Sequence, residues 1–114
     1  MMRWFHRKPK PKHYTKRWKE LQKYCSTRKT WPKAIAEADK LLDDALKARH
    51  YKGKNMGERL VSAQHEIGDN EAVWFGHKLC TKIVGEDVRK LKKQDIIDAL
   101  AGFREALKDL GALE

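Results

Sequence analysis

Apolar residues recur at helical spacing along most of this chain, in five separate stretches. Tyr14, Trp18, Leu21 and Cys25 fall at i, i+4, i+7 and i+11, one face of a helix over about Tyr14–Ser26. Lys16, Lys19 and Lys23 lie on the opposite side, with Arg17 nearer the boundary. A second stripe, Ala34/Ile35, Ala38, Leu41/Leu42 and Ala45/Leu46, predicts a helix from Thr30 to about Arg49, with Thr30 as N-cap and Pro32 in the first turn. His50–Lys54 reads as a turn. Asn55 then opens a third helix, with Glu58 as its capping-box partner and Met56, Leu60, Val61, Gln64 and Ile67 as its inner face.

Gly68-Asp69-Asn70 breaks that pattern. A fourth helix follows over about Glu71–Val84, with Val73/Trp74, His77, Cys80/Thr81 and Val84 or their neighbours inward and Gly85 as a stop. The fifth, about Gln94–Leu110, repeats Ile96/Ile97, Leu100, Phe103, Leu107 and Leu110 before Gly111. No segment alternates as a strand does. The expected fold class is all-α, a four- to five-helix antiparallel bundle over residues 14–114. Residues 1–13, with Lys8-Pro9-Lys10-Pro11-Lys12, read as a basic N-terminal arm, because alternating proline removes amide donors and favours extended backbone.

Charge changes the picture. The 114 residues carry 26 Lys/Arg and 16 Asp/Glu, a formal net charge of +10. Twelve of the bases and one acid, Glu20, fall within residues 1–33; the remainder is nearly balanced. A basic third interleaved with Trp4, Phe5, Tyr14, Trp18, Tyr24 and Trp31 suits a polyanion. The candidate nucleic-acid-binding residues are Arg3, Arg7, Lys8, Lys10, Lys12, Lys16, Arg17, Lys19 and Lys23. A lipid surface is the weaker candidate, with Trp4 and Phe5 inserted and the lysines on anionic headgroups. Glu37, Asp39, Asp43 and Asp44 form an acidic face on the second helix, expected to be solvated and to look towards the basic first helix.

No apolar run approaches the roughly 20 residues of a membrane span, and the opening residues lack a secretory leader's apolar stretch, so a cytoplasmic protein is expected. Cys25 and Cys80 fall on apolar stripes and read as buried free thiols. There is no nucleophile elbow, P-loop or dinucleotide fingerprint. His77 and Cys80, three apart, could begin a metal site but lack the further ligands a zinc ion takes. The expectation is therefore no cofactor, no metal and no small-molecule substrate, with His77 packed between helices and one ring nitrogen hydrogen-bonded.

The stretch Trp74–Glu86 resembles the last-but-one helix of small HEPN-type helical proteins, which often carry Arg-Asn-x-x-x-His there. Ala34–Asp43, Met56–Leu60 and Ala106–Gly111 resemble a set of small bacterial proteins of the same layout, so the likeness spans about residues 14–113. In active members the Arg and His meet, usually across a dimer, on the RNA 2′-hydroxyl and scissile phosphate. Here Cys80 stands at the Arg position, Thr81 at the Asn and Gly85 at the His, leaving a degenerate motif of His77, Cys80, Thr81 and Gly85. Cysteine lacks a guanidinium fork and glycine any side chain. The resemblance thus implies an RNA-processing fold without its catalytic pair. The function expected is non-catalytic binding of a polyanion, RNA first. The alternatives are a protein-interaction module or homodimer docking on an acidic partner, and a HEPN-type ribonuclease relative with residual or altered activity.

Overall fold

The computed structural model describes residues 10–83 and 86–114. Five α-helices are present: α1 (Pro11–Gln22), α2 (Trp31–Ala48), α3 (Met56–Ser62), α4 (Asn70–Ile83) and α5 (Lys93–Asp109). Short 3₁₀ turns at Lys23–Cys25, Arg28–Thr30 and Val88–Lys90 join them, and no strand occurs among the described residues.

Helix α2 is the hub. Ala34, Ile35, Ala38, Leu41, Leu42, Ala45 and Leu46 are all completely buried. α1, α3, α4 and α5 each pack against it. Alanines among the leucines let neighbouring helices approach closely, while each Leu or Ile buried here is worth roughly 1.5–3 kcal/mol of hydrophobic stabilisation. α1 lies antiparallel on one flank, since Arg17 meets Asp44 while Leu21 and Tyr24 share a cleft with Glu37 and Lys40.

α4 and α5 also run antiparallel and pack most closely of all. A Cβ on Gly102 would stand 2.5 Å from the Ala72 carbonyl oxygen, and one on Gly76 would stand 2.9 Å from the Phe103 ring. Two glycines thus let the backbones nearly touch, and the completely buried Phe103 fills the space beside Gly76.

Several expected boundaries and faces move. α1 begins at Pro11, so Pro11, Lys12 and His13 are helical where an arm was expected, with proline tolerated in the first turn. It also ends earlier, at Gln22, and the 3₁₀ turn that follows leaves Cys25 half-buried. Thr30 holds the N-cap position of α2 as expected but makes no side-chain cap bond; its hydroxyl donates instead to the Tyr24 carbonyl at 2.7 Å. α3 stops at Ser62, and Ala63 and Ile67 reach the core from the turns beyond it. Val61 and Gln64, expected inside, are exposed because that helix presents Met56 and Leu60 inward.

On α4 the buried line is Val73, Gly76, Leu79 and Ile83. That face is rotated from the expected one, so Trp74, His77 and Cys80 border the core and Thr81 is exposed. On α5, Ala99 and Gly102 join the interior while Ile97 is 48% exposed. In each case a small residue makes the close contact, and side-chain size does not identify the inner face.

Two helices end in the same backbone motif with different residues. After α5, Gly111 takes φ 79°, Ala112 N–H reaches the Leu107 carbonyl and Gly111 N–H the Lys108 carbonyl. After α2, His50 takes φ 64°, with Tyr51 N–H on the Leu46 carbonyl and His50 N–H on the Lys47 carbonyl. A Cβ in the left-handed region costs about 1 kcal/mol.

Replacing His50 with glycine should therefore raise stability by about 1 kcal/mol in urea titration. Gly102→Ala should lower it by about 2 kcal/mol, because overpacking against a backbone carbonyl outweighs the gain in helix propensity.

Candidate functional site

The acidic face of α2 divides among three neighbours. Asp44 accepts from Arg17 Nη1 of α1 at 2.8 Å. Asp43 takes a two-point bond from Arg59 of α3, 2.7 Å from Nε and 2.9 Å from Nη2. Asp39 bonds His77 Nδ1 of α4 at 2.9 Å. The expected orientation towards α1 holds for Asp44. Asp39 and Asp43 look the other way and are only 16% and 18% exposed, because at this helical spacing they flank the apolar stripe on its far side. They are structural links between helices, where a solvated face was expected.

His77 is packed between helices with one ring nitrogen bonded, as its place on α4 suggested. The hydrogen bond to Asp39 raises its pKa above the usual imidazole value against the opposing effect of burial, with further help from the charges of Asp39 and Asp43. Trp74 lies edge-on to the ring at 5.8 Å. One turn along, Cys80 is half-buried, and burial, reinforced by the Asp39 carboxylate, pushes its thiol up to about 11. Both groups turn to the same carboxylate. In a nucleophilic triad the imidazole would stand between thiol and carboxylate and make a thiolate; here the thiol stays protonated at neutral pH. Thr81 donates to the Lys78 carbonyl at 2.8 Å, and Gly85 lies outside the described residues. Among the described residues, no group of three or more His, Cys, Asp or Glu side chains is placed to hold a metal ion.

The basic residues of α1 form a different kind of site. Lys12, Lys16, Lys19 and Lys23 follow at i, i+4, i+7 and i+11, and all four are exposed. They make one straight row directly opposite Tyr14, Trp18 and Leu21, which are buried on α2 and its neighbours. Arg17 leaves that row for Asp44. Lys10 is exposed just before α1, and Arg3, Arg7 and Lys8 lie outside the described residues. Among the described residues none of the four ammonium groups in the row takes part in an ion pair.

Lys12, Lys16 and Lys19 line an open groove of about 770 Å³. Its remaining walls are Pro11, Thr15, Trp18, Gln22, Arg104, Leu113 and Glu114. Four cations, one acid and an apolar floor therefore converge there. Arg104 and Leu113 are far away in sequence, and nothing in the local pattern marks them; the packing of α5 and the residues after it brings them to α1.

No helix among the described residues is long and apolar enough to cross a membrane.

The His77–Asp39 pair has a defined pH signature. A folded-state pKa above the unfolded value of about 6.5 gives stability that is complete below that value and is lost as pH rises through the folded pKa. Urea midpoints measured between about pH 6 and pH 8 should fall in the wild type and change less in His77→Gln. A flat wild-type profile would refute the pairing. For Cys80, alkylation of the native protein at about pH 8 should run at least a hundredfold slower than that of free cysteine, and unfolding in urea should abolish the difference.

No family model, curated protein or solved structure matches this chain.

Proposed function

We propose that this chain binds RNA as a polyanion through the lysine row of α1 and the groove beside it, with no catalysis of its own. The observation that carries the reading is the row itself: Lys12, Lys16, Lys19 and Lys23 are aligned, exposed and outside every ion pair among the described residues. Lysines on a helix that gives its other face to the core are held in register, and neutralising phosphates with them releases counterions. Pro11, with the edges of the buried Trp18 and Leu113, gives the same groove an apolar floor. Arg3, Arg7 and Lys8 would extend the same charge along the sequence. Contacts of this kind favour the sugar–phosphate backbone and discriminate little between sequences.

The absence of catalysis in this proposal is supported by chemistry at α4. His77 and Cys80, the groups with proton chemistry beside the degenerate motif, both engage Asp39, and neither has a guanidinium at the neighbouring motif position. On the HEPN-type reading, α4 would correspond to the helix that bears the catalytic Arg in active members, a position held here by Cys80.

The test is fluorescence anisotropy with labelled mixed-sequence RNA across a salt series. With four lysines engaged, log K should fall with log salt at a slope of about −3, taking roughly 0.7 per neutralised phosphate on a single strand. Lys16→Glu with Lys19→Glu should weaken binding at least tenfold at about 0.1 M salt while leaving the helical circular dichroism unchanged. An affinity that does not respond to salt, or a double variant that binds like the wild type, would remove the proposal.

A further inference from the structure

The near-neutral part of the sequence is not neutral throughout. Residues 82–93 hold Lys82, Arg89, Lys90, Lys92 and Lys93 against Glu86 and Asp87. The fold brings the Val88–Leu91 part of it to the end of the basic third, and Arg28 makes the join. Its guanidinium stacks over the Trp31 ring at 4.5 Å and donates from Nη1 to the carbonyls of Val88, at 3.4 Å, and Leu91. The 3₁₀ turns Arg28–Thr30 and Val88–Lys90 pack on one another.

Carbonyls and an aromatic ring satisfy a guanidinium without cancelling its charge. Arg28 therefore stays cationic beside the exposed Lys29, and Lys90 and Lys92 flank the Leu91 whose carbonyl it holds. Opposing charge is sparse. Asp87 is bound to Arg89 at 2.7 Å, and Glu86 and Asp95 are half-buried beside the small cleft that Lys82, Lys90 and Lys92 also line. Sequence segregation and tertiary packing thus place two cationic surfaces on one molecule, the lysine row of α1 and this docked turn.

We infer that one RNA strand engages both surfaces, with Arg28, Lys29, Lys90 and Lys92 as the second phosphate-binding patch; this rests on the RNA reading given above. Lys12 and Lys23 are eleven residues apart, about 16 Å of helix, and the second patch is built on the Arg28–Thr30 turn, which packs against the Lys23–Cys25 turn. A strand that reaches it from Lys12 must therefore be longer than about five nucleotides at a stacked rise of about 3.4 Å. The second contact is then intramolecular, and its gain depends on ligand length.

Salt dependence separates this from simple lattice statistics, because a longer oligonucleotide offers more registers but releases more counterions only when more cations engage. Oligouridylates of about 5 and about 20 nucleotides are to be titrated against the whole chain across a salt series. The 20-mer should give a log K against log salt slope steeper than that of the 5-mer by about 2–3, the share of four further phosphate contacts. Lys90→Glu with Lys92→Glu should lower the 20-mer slope by at least the share of two contacts, about 1.4, and leave 5-mer affinity within about twofold. Equal slopes at the two lengths in the wild type would overturn the two-surface inference while leaving RNA binding by α1 intact, as would a 20-mer slope unmoved by the double variant. If neither oligonucleotide binds, the RNA reading itself fails and this inference with it.

Discussion

Everything in this fold is arranged around the burial of α2. Its apolar stripe is broad enough to meet four helices and narrow enough to leave carboxylates on both borders. Those borders decide which helix goes where: Asp44 faces the arginine of α1, while Asp39 and Asp43 face the histidine of α4 and the arginine of α3. Apolar contact is non-directional and supplies cohesion. The carboxylate bonds supply direction. The two-point bond between Arg59 and Asp43, 13% and 18% exposed respectively, is the strictest of them, since removing either partner leaves a charge in a poorly solvated site.

Much of this was legible from residue spacing, and the misses have a common cause. Long stripes of Leu, Ile and aromatic residues located α2 and α5 and the face of α1, because those side chains cannot be left in water. α4 was harder. Its tightest contact is made by Gly76, and that of α5 by Gly102, so the closest approach in the bundle is marked by missing side chains. A scale that ranks inward positions by bulk turns such helices by about one residue, which is how Thr81 comes to be expected inside and Leu79 is not named. The end of α2 near Arg49 was legible from the turn after it, but its left-handed position was not, since His50 holds it where glycine is the usual signal. At the candidate site the lysine row could be read from i, i+4, i+7 spacing alone. Arg104 and the docked 86–92 segment could not, because only tertiary packing brings the first to α1 and the second to the Arg28–Thr30 turn.

Four arginines have work inside the fold, and Arg28 among them also belongs to the second cationic surface. Arg17, Arg28, Arg49 and Arg59 are all turned to the protein itself, on carboxylates or carbonyls of other segments. Arg49 is the clearest case: only 7% exposed, it ties the end of α2 to the Leu110 carbonyl and to Glu66, which also accepts from the Tyr51 hydroxyl. A planar fork suits fixed multipoint bonds, whereas an ammonium on a flexible stem acts as a point charge. Lysines make up the outward rows on α1 and the 86–93 segment. Interior pairing also withdraws carboxylates from the surface, so the lysines that remain face little opposing charge.

That arrangement leaves α1 loaded against itself. Lys12–Lys16, Lys16–Lys19 and Lys19–Lys23 are like-charge neighbours on one helix, each unfavourable by about 0.2–0.5 kcal/mol. The first turn has no acidic residue or side-chain cap to offset the helix dipole. Glu20, one turn from both Lys16 and Lys23, offsets part of this, so a net self-repulsion of a few tenths of a kcal/mol is stored on a helix anchored mainly through one face to α2. An anion settling along the row discharges that repulsion, so occupancy and the integrity of α1 are thermodynamically linked, and α1 is most firmly folded when its row is occupied.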